Sequence, residues 1–269
     1  MASGVVRWAV AVAVGGIAVA VLGATPGAAQ SGPEIMKKQR ELNRSRDEEE
    51  TQRMTLLNKA GEPRQRRIVR YTLTGGEDLS KILIRFLAPA DVLNSGLLTW
   101  EAKDGDDDQW LYLPATKRAK RIASSGKKNR FMGTDFAFED LRPENLAAHK
   151  YAVVATETVD GQPCWVIEAV AAHDKQAADS GYSKRKLWVR QDNYYTVKRE
   201  YYDKRDRLEK VQTDRKLKNV KGSVWRADEV EMHDVQAGSK TLVVIEKREL
   251  DKGLKESLFT ETELARAGS

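Results

Sequence analysis

The chain has 269 residues, of which 32% are charged, and its 46 Lys and Arg against 40 Asp and Glu give a net charge of +6. A single cysteine, Cys164, cannot close an internal disulfide bond, which excludes small scaffolds held together by disulfides. The excess of positive charge is small and both signs are interspersed, so the composition is weak evidence for binding to nucleic acid.

The first 29 residues have the pattern of a secretory signal peptide. Arg7 precedes an apolar run from Trp8 to Leu22, and "GATPGAAQ" then supplies the small residues Gly27 and Ala29. The run of about 15 residues is shorter than the roughly 20 that cross a bilayer, which favours cleavage near Ala29 over a retained membrane anchor. We therefore expect residues 1–29 to be removed during export.

Residues 30–50 are predicted to contain one helix. Ser31 suits the N-cap, Pro33 suits the first turn, and Glu34 stands three residues after the cap. The helix would carry a thin apolar stripe made of Ile35, Met36 and Leu42. Such a helix needs an apolar surface to lie against, and the alternative is a solvated, charged linker.

From residue 51 to residue 269 the pattern is one of strands and turns. Apolar and polar residues alternate in segments such as "RQRRIVRYTLT", "KILIRFLAP" and "KTLVVIEKREL", and turn sequences such as "TGGED", "VDGQP" and "QAGS" separate them. We predict a mainly β (α+β) fold with about ten or eleven strands, interrupted by a helical pattern near residues 131–149. A sheet of this size normally curls or closes, and its concave face must then be filled by side chains, a helix or a ligand.

The stretch "DGDDDQWLYLPATKRAKRIASS", residues 104–125, invites a calcium-site interpretation. Asp104, Asp106 and Asp108 match the first three ligand positions of an EF-hand loop, but Gln109 stands where glycine is required and Ala115 where glutamate is required. We therefore expect no metal here, and we predict that the aspartates form a solvated turn before a strand.

Other chemistry is not indicated by the sequence. Cys164 and the scattered His149, His173 and His233 have no zinc-ligand spacing, and neither a nucleophile elbow nor a glycine-rich phosphate loop is found. The aspartates beside the aromatic run would repel a nucleic acid backbone. We predict no cofactor, no nucleic-acid partner and no catalytic residue.

The longest distinctive block is "DGDDDQWLYLPATKRAKRIASSGKKNRFMGTDFAFEDL", residues 104–141. Together with "ILIRFLAPADV", "DGQPCWVIEA", "DSGYSKRKLWV" and "ESLFTE", it resembles the exported outer-membrane lipoprotein-sorting proteins, a long-chain branch of the LolA/LolB-like superfamily. The resemblance extends over about residues 33–262.

This resemblance implies a curved, unclosed antiparallel half-barrel with helices covering its concave face. It also implies a periplasmic cavity that takes acyl chains of lipoproteins or other lipids, transient contact with a membrane surface, and an RND-superfamily (MMPL-like) inner-membrane transporter as a partner. Within residues 51–269, we expect an inserted lid segment near residues 126–149. The residue corresponding to the lid-locking arginine of the short carriers is left open among Arg66, Arg70 and Arg85.

The predicted site is a lipid-binding cavity beneath a lid helix that carries Ile35, Met36 and Leu42. The residues predicted to line the cavity are Met54, Leu56, Val69, Tyr71, Leu73, Ile82, Ile84, Phe86, Trp100, Trp110, Tyr112, Phe131, Met132, Phe136 and Phe138.

Three functions remain open at this stage. The leading interpretation is a carrier that shelters acyl chains between the inner and outer membranes. The first alternative is a non-transporting accessory protein that docks on an RND-type transporter or an envelope complex. The second alternative is an envelope hydrolase, which the missing catalytic motif disfavours.

Overall fold

The computed structural model describes residue 1 and residues 30–266. Three α-helices and thirteen strands are found in this part of the chain. The helices are α1 (Gly32–Leu42), α2 (Asp174–Asp179) and α3 (Glu261–Ala265). The strands are β1 (Asp47–Leu57), β2 (Pro63–Thr74), β3 (Ser80–Ala88), β4 (Gly96–Trp100), β5 (Asp108–Leu113), β6 (Arg118–Arg121), β7 (His149–Val159), β8 (Gln162–Ala171), β9 (Lys184–Arg190), β10 (Thr196–Tyr202), β11 (Leu208–Lys221), β12 (Val224–Asp234) and β13 (Ser239–Leu250).

All thirteen strands form one antiparallel sheet in the order β6-β5-β4-β3-β2-β1-β13-β12-β11-β10-β9-β8-β7. The first and last strands pair in the middle, so β1–β6 form one wing and β7–β13 form the other. Strands β6 and β7 remain as the two edges, and the sheet is therefore unclosed. The predicted mainly β half-barrel is confirmed, with more strands than the ten or eleven expected. A strand as short as β6 is too short to show an alternation of apolar and polar residues.

The sheet is strongly bent. Strands β3 and β10 are six steps apart in the sheet order, which would be about 29 Å in a flat sheet. Phe86 of β3 and Tyr201 of β10 nevertheless belong to one hydrophobic cluster, together with Met54 of β1 and Met232 of β12. The two wings must therefore curve towards each other around a shared concave face.

The connection between β6 and β7, residues 122–148, crosses this concave face. It joins β6 and β7, which lie at opposite edges of the sheet. It contains three short 3-10 turns and no α-helix or long strand. Its Phe131, Phe136 and Phe138 are buried against Ile84 and Phe86 of the β1–β6 wing.

Helix α1 covers the other wing. The backbone N–H of Ser31 donates to Glu34 Oε2 at 2.8 Å, as expected for a capping box. Ile35 and Met36 are buried against concave-face residues of β7, β8 and β9, whereas Leu42 is partly exposed and lies outside this cluster. Helix α1 and the β6–β7 connection thus close different parts of the same concave face.

The predicted helical region, residues 30–50, is corrected at its end. The helix ends at Leu42, and the acidic residues from Asp47 to Glu50 begin strand β1 instead. Acidic residues are poor strand formers, but Glu48 and Glu50 face the interior and pair with Arg226 and Arg248 across the sheet. Tertiary charge pairing therefore overrides the local preference.

The convex face of the β1–β6 wing has a core of its own. The C-terminal segment, residues 251–266, lies on it and places Phe259 and Leu264 against Leu83 and Leu98. The indole N–H of Trp100 donates to the carbonyl of Phe259 at 2.9 Å. This wing is therefore apolar on both sides, unlike a sheet with one solvated face.

Strand β7 is a long edge strand. Val153 and Val154 on it are exposed, and its register with β8 shifts between Val153 and Ala155. Such a bulge disrupts the regular row of free backbone groups that another strand would need for pairing. In the part of the chain that the structure describes, no helix has both the length and the apolar character needed to cross a bilayer.

We predict that Gly32→Ala destabilises the protein. A Cβ atom at Gly32 would lie 2.6 Å from the carbonyl oxygen of Tyr151 in β7, so α1 would have to shift off the sheet. Overpacking of this kind costs about 1–3 kcal/mol, or roughly 3–8 °C in Tm. Thermal unfolding and amide hydrogen exchange of residues 32–42 would measure the effect.

Gly76→Ala is the matched control, because a Cβ atom there meets nothing within 4 Å. Its Tm should change by less than about 1 °C. Helix propensity alone predicts that Gly32→Ala stabilises α1. A raised Tm for Gly32→Ala would therefore show that α1 does not pack tightly on β7.

Candidate functional site

The structure brings many of the predicted cavity residues together on the concave face. One hydrophobic cluster, with Met132 packed against it, contains Met54, Leu56, Ile82, Ile84, Phe86, Phe131, Phe136 and Phe138. The ring centroids of Phe86 and Phe131 are 5.6 Å apart, as are those of Phe131 and Phe138. The phenylalanines of the β6–β7 connection therefore fill the apolar floor that the strands provide.

The structure places the other six predicted cavity residues on the opposite, convex face. They are Val69, Tyr71, Leu73, Trp100, Trp110 and Tyr112. Five of them surround Phe259 and Leu264 of the C-terminal segment, and Val69 alternates with the inward-facing Ile68 and Arg70. The alternation along β2 is present as expected, but the face assigned to the cavity is the wrong one for these six residues.

The open space on the concave face is a cavity of about 400 Å³ beside the phenylalanine-filled floor. Met54, Ile68 and Ile84 form its apolar edge, but most of its wall is charged or polar. The strands contribute five arginines and three acidic residues to this wall, namely Arg70, Arg185, Arg199, Arg226, Arg248, Glu48, Glu50 and Asp214. The open space on the concave face is therefore mainly polar.

Ion pairs between neighbouring strands organise the wall. Arg226 lies 2.9 Å from Glu48, and Arg248 lies 2.7 Å from Glu50. Burial alone would raise the pKa of Glu48, but Arg226 and Arg248 outweigh it and lower that pKa. Burial raises the pKa of Glu50, and repulsion from Glu48 adds to the rise.

The β6–β7 connection is held to the far wing through Glu144. The two terminal guanidinium nitrogens of Arg185, Nη1 and Nη2, donate to the Glu144 carboxylate at 2.9 and 2.8 Å. The Tyr151 hydroxyl donates to the same carboxylate at 2.6 Å. Burial would raise the pKa of Glu144, but Arg185 and then His149 lower it to about 2. Burial, followed by repulsion from Arg185, lowers the pKa of His149 to about 4.

The aspartates of the β4–β5 turn hold the same connection from the other side. Asp106 lies 2.6 Å from the Lys127 ammonium and 2.7 Å from the Arg142 guanidinium, and Asp107 is only 1% exposed. The predicted solvated turn is therefore correct for Asp104 and wrong for Asp106 and Asp107. Their carboxylates point inwards because two cations of the connection lie over them.

Further polar contacts fasten the middle of the connection. The carboxylate of Asp135 accepts from the Thr241 hydroxyl at 2.7 Å and pairs with Arg130 at 2.9 Å. The Tyr182 hydroxyl donates to Asp140 at 2.9 Å. Each of these contacts in the middle of the connection is made by side chains. Within the described connection, the only β pairing is an isolated bridge between Arg130 and Ala137.

The three arginines considered for locking a lid have different roles. Arg66 donates to the backbone carbonyl of Met132 and so holds the connection. Arg85 donates to the carbonyl of Glu263 in α3, on the convex side. Arg70 lines the cavity and forms neither a hydrogen bond nor an ion pair with the described residues, although its charge helps to lower the pKa of Glu48 and opposes the rise in the pKa of Glu50.

The sequence did not point to the charged wall. Some of its members lie within predicted strands, such as Arg199 in "REYYD" and Arg226 in "VWRADEVEM", whereas Glu48 and Glu50 lie in the region that was predicted to be helical. The only available signal was the presence of arginines on the same face as apolar strand residues, such as Arg70 after Ile68. Among the described residues, no three His, Cys, Asp or Glu side chains are grouped so that they could hold a metal ion.

An open antiparallel half-barrel with a segment fastened across its concave face defines the LolA-like class of fold. A family model described as "Uncharacterized protein" matches residues 78–266. A solved structure from Vibrio parahaemolyticus, described as an outer membrane lipoprotein-sorting protein domain, is 32% identical; the match covers 87% of this chain and 98% of that chain, with a TM-score of 0.83. The chain belongs to this family of outer membrane lipoprotein-sorting proteins, as the resemblance of residues 104–141 indicated.

Two further solved structures are similar. A DUF1329 family protein from Desulfovibrio piger is 28% identical, with 87% of this chain and 97% of that chain covered and a TM-score of 0.80. A LolA superfamily protein from Nitrosomonas europaea is 19% identical, covers 87% of this chain and 99% of that chain, and has a TM-score of 0.68, which shows the shared fold. No curated protein matches the chain.

We predict that His149 makes stability depend on pH between about 6.5 and 4. The pKa of His149 is about 4 in the folded state against 6.5 in the unfolded state, so the unfolded chain binds more protons in this window and stability falls as pH falls. Between pH 6.5 and 4.5 the loss is roughly 2 kcal/mol. Glu144 contributes separately, because its stabilising charge is lost only below pH 4.5, towards its folded pKa of about 2.

The measurement is urea unfolding at pH 7.5, 6.0 and 4.5 for the wild type and for His149→Gln. The variant should lose less stability than the wild type across this range, whereas the exposed His173→Gln should follow the wild type. Identical pH profiles for all three proteins would contradict the burial of a neutral His149.

Proposed function

We propose that this protein is a periplasmic carrier that shelters acyl chains of lipoproteins or other lipids on its concave face during transfer between the inner and outer membranes. One observation carries the proposal. The apolar floor, from Met54 to Phe86, is covered by a connecting segment without α-helices, which is fastened by polar side-chain contacts and inserts its own phenylalanines where an acyl chain would lie. This is a binding role and not an enzymatic one.

The energetics favour exchange of the phenylalanines for an acyl chain. Burying lipid is worth about 0.8 kcal/mol per CH₂, so a chain of some 16 carbons costs on the order of 12 kcal/mol to bring into water. Free diffusion between membranes is negligible against such a barrier. When the connection moves aside, the floor loses contacts with Phe131, Phe136 and Phe138 and gains contacts with the chain, so the floor is covered in both states.

The polar fastenings set the cost of opening. An ordinary protein hydrogen bond contributes about 0.5–1.5 kcal/mol net, and hydrogen bonds to charged groups contribute about 1.5–3 kcal/mol. The contacts of Arg66, Arg142 and Glu144 therefore keep the empty carrier closed and still yield to a ligand that buries many methylene groups.

The related Vibrio protein supports the envelope setting through its description as a lipoprotein-sorting domain. Residues 1–29 lie outside the part of the chain that the structure describes, except for residue 1, and we propose that they act as a cleaved signal peptide. We also propose transient contact with the membrane surface and an RND-superfamily transporter as the partner in the inner membrane.

We predict that Phe136→Ala increases acyl loading. Phe136 belongs to the plug, so its removal weakens the closed form and raises the fraction of molecules open to ligand. The apparent affinity for a lipopeptide with two C16 chains should rise roughly tenfold, as measured by native mass spectrometry of the mature protein. Loading should also reduce amide protection of residues 126–148 in hydrogen exchange.

Leu83→Ala is the matched control, because Leu83 is fully buried on the convex face and its truncation costs a similar 2–5 kcal/mol in stability. It should leave loading unchanged. Equal loading of the two variants would show that loading rises with any loss of stability, and it would count against a specific role of Phe136 in closing the site.

The filled floor favours a second candidate, an accessory protein that docks on an RND-type transporter or an envelope complex and never carries lipid. In that case the phenylalanines are a permanent core. Neither the wild type nor Phe136→Ala would then take up the lipopeptide, and solvent extraction of the purified protein would release no acyl species.

A further inference from the structure

We infer that the charged cavity binds an anionic group, a carboxylate or a phosphate, on the head of the carried amphiphile, and that Arg70 is the residue that receives it. The inference rests on the proposed carrier function and adds the chemical class of the ligand. It assigns one molecule to two adjoining spaces, with its tail on the apolar floor and its head in the cavity of about 400 Å³.

The first argument is the pairing of the cavity's charges. Every acidic group on the strand wall already has partners, since Glu48 pairs with Arg226, Glu50 with Arg248, and Asp214 with Arg199 and Tyr195. The acids of the connection are also occupied, with Glu144 on Arg185 and Asp140 on Tyr182. Arg70 is the cation of this lining that is left without a hydrogen bond or ion pair to any described residue.

The second argument is the position of Arg70. It lies directly between Glu50 of β1 and Ile84 of β3 in the sheet register. Ile84 belongs to the apolar floor, and Glu50 belongs to the charged wall. Arg70 therefore stands at the boundary where the head of an amphiphile meets its tail.

The third argument is the partial burial of Arg70 in the cavity wall. In such a partly desolvated space, a cation without an ion pair to the described residues attracts a counter-charge more strongly than in water.

The shape of a guanidinium also fits the inference. Its planar fork binds carboxylate and phosphate oxygens in pairs, which a lysine ammonium does not do. A neutral head, such as an alcohol, would leave Arg70 without a charged partner. The inference therefore predicts discrimination by head group between ligands that carry the same tail.

The experiment compares hexadecanoate, hexadecyl phosphate and hexadecanol, which share a C16 tail. Binding to the full mature chain is measured by native mass spectrometry at pH 8 and moderate salt, below the concentration at which each ligand aggregates. The wild type should bind at least one of the anions about tenfold or more tightly than the alcohol, and the tighter anion identifies the head group. Arg70→Gln should reduce this preference to less than about threefold.

Arg67→Gln is the matched control, because Arg67 lies on the same strand but is exposed and pairs with Glu246 away from the cavity. It should keep the full preference. Arg70→Lys, which conserves the charge and tests for damage to the fold, should keep part of the preference for the anion.

The outcomes separate the two proposals. If all three ligands bind equally well, or if the preference survives Arg70→Gln, the head-group inference is overturned and the carrier function stands. If none of the three ligands binds to the wild type, both the inference and the carrier function are overturned.

Discussion

The structure depends on one topological constraint, namely that β6 and β7 lie at opposite edges of an unclosed sheet. The chain between them has to span the whole width of the sheet, and here it crosses the mouth of the half-barrel. The crossing segment has 27 residues and little regular secondary structure. Loops of this length are uncommon in compact domains, and the ordered ones usually have a function. Here it carries three phenylalanines into the apolar floor and acidic or basic groups to both wings. The strand order thus requires a long connection, and the side chains of that connection place it on the concave face.

The middle of the sheet is the second unusual feature. Where β1 meets β13 and β2, the concave face carries Glu48, Glu50, Arg70 and Arg248 instead of apolar side chains. Buried ion pairs are weak sources of stability, because desolvation offsets most of their attraction. The charged middle of the sheet therefore contributes little net stability of its own. Separate apolar regions, beneath α1 and beneath the phenylalanines, supply the burial that the charged middle does not.

Much of the fold follows from the sequence, but the site follows only in part. A period of two along strands such as β2 and β3 predicts an antiparallel sheet, and the small-residue, aromatic and acidic block at 104–141 indicates the family. Periodicity cannot say which side of a strand faces inwards when both sides are apolar. Trp110 and Tyr112 face outwards because Phe259 and Leu264, some 150 residues later, cover them. The partners of Asp106, Glu144 and Arg185 are likewise distant along the chain, so no local pattern reveals them.

The pairing of the first strand with the last has a consequence for the order of events during biosynthesis. Arg248 and Glu50 are 198 residues apart in the sequence, yet they meet at the centre of the sheet. The two wings therefore cannot be joined until β13 has left the ribosome, and contacts of such high sequence separation form slowly. Phe259 completes the outer core later still. A nascent polypeptide with this architecture therefore cannot complete its sheet until nearly all of the chain has been synthesised.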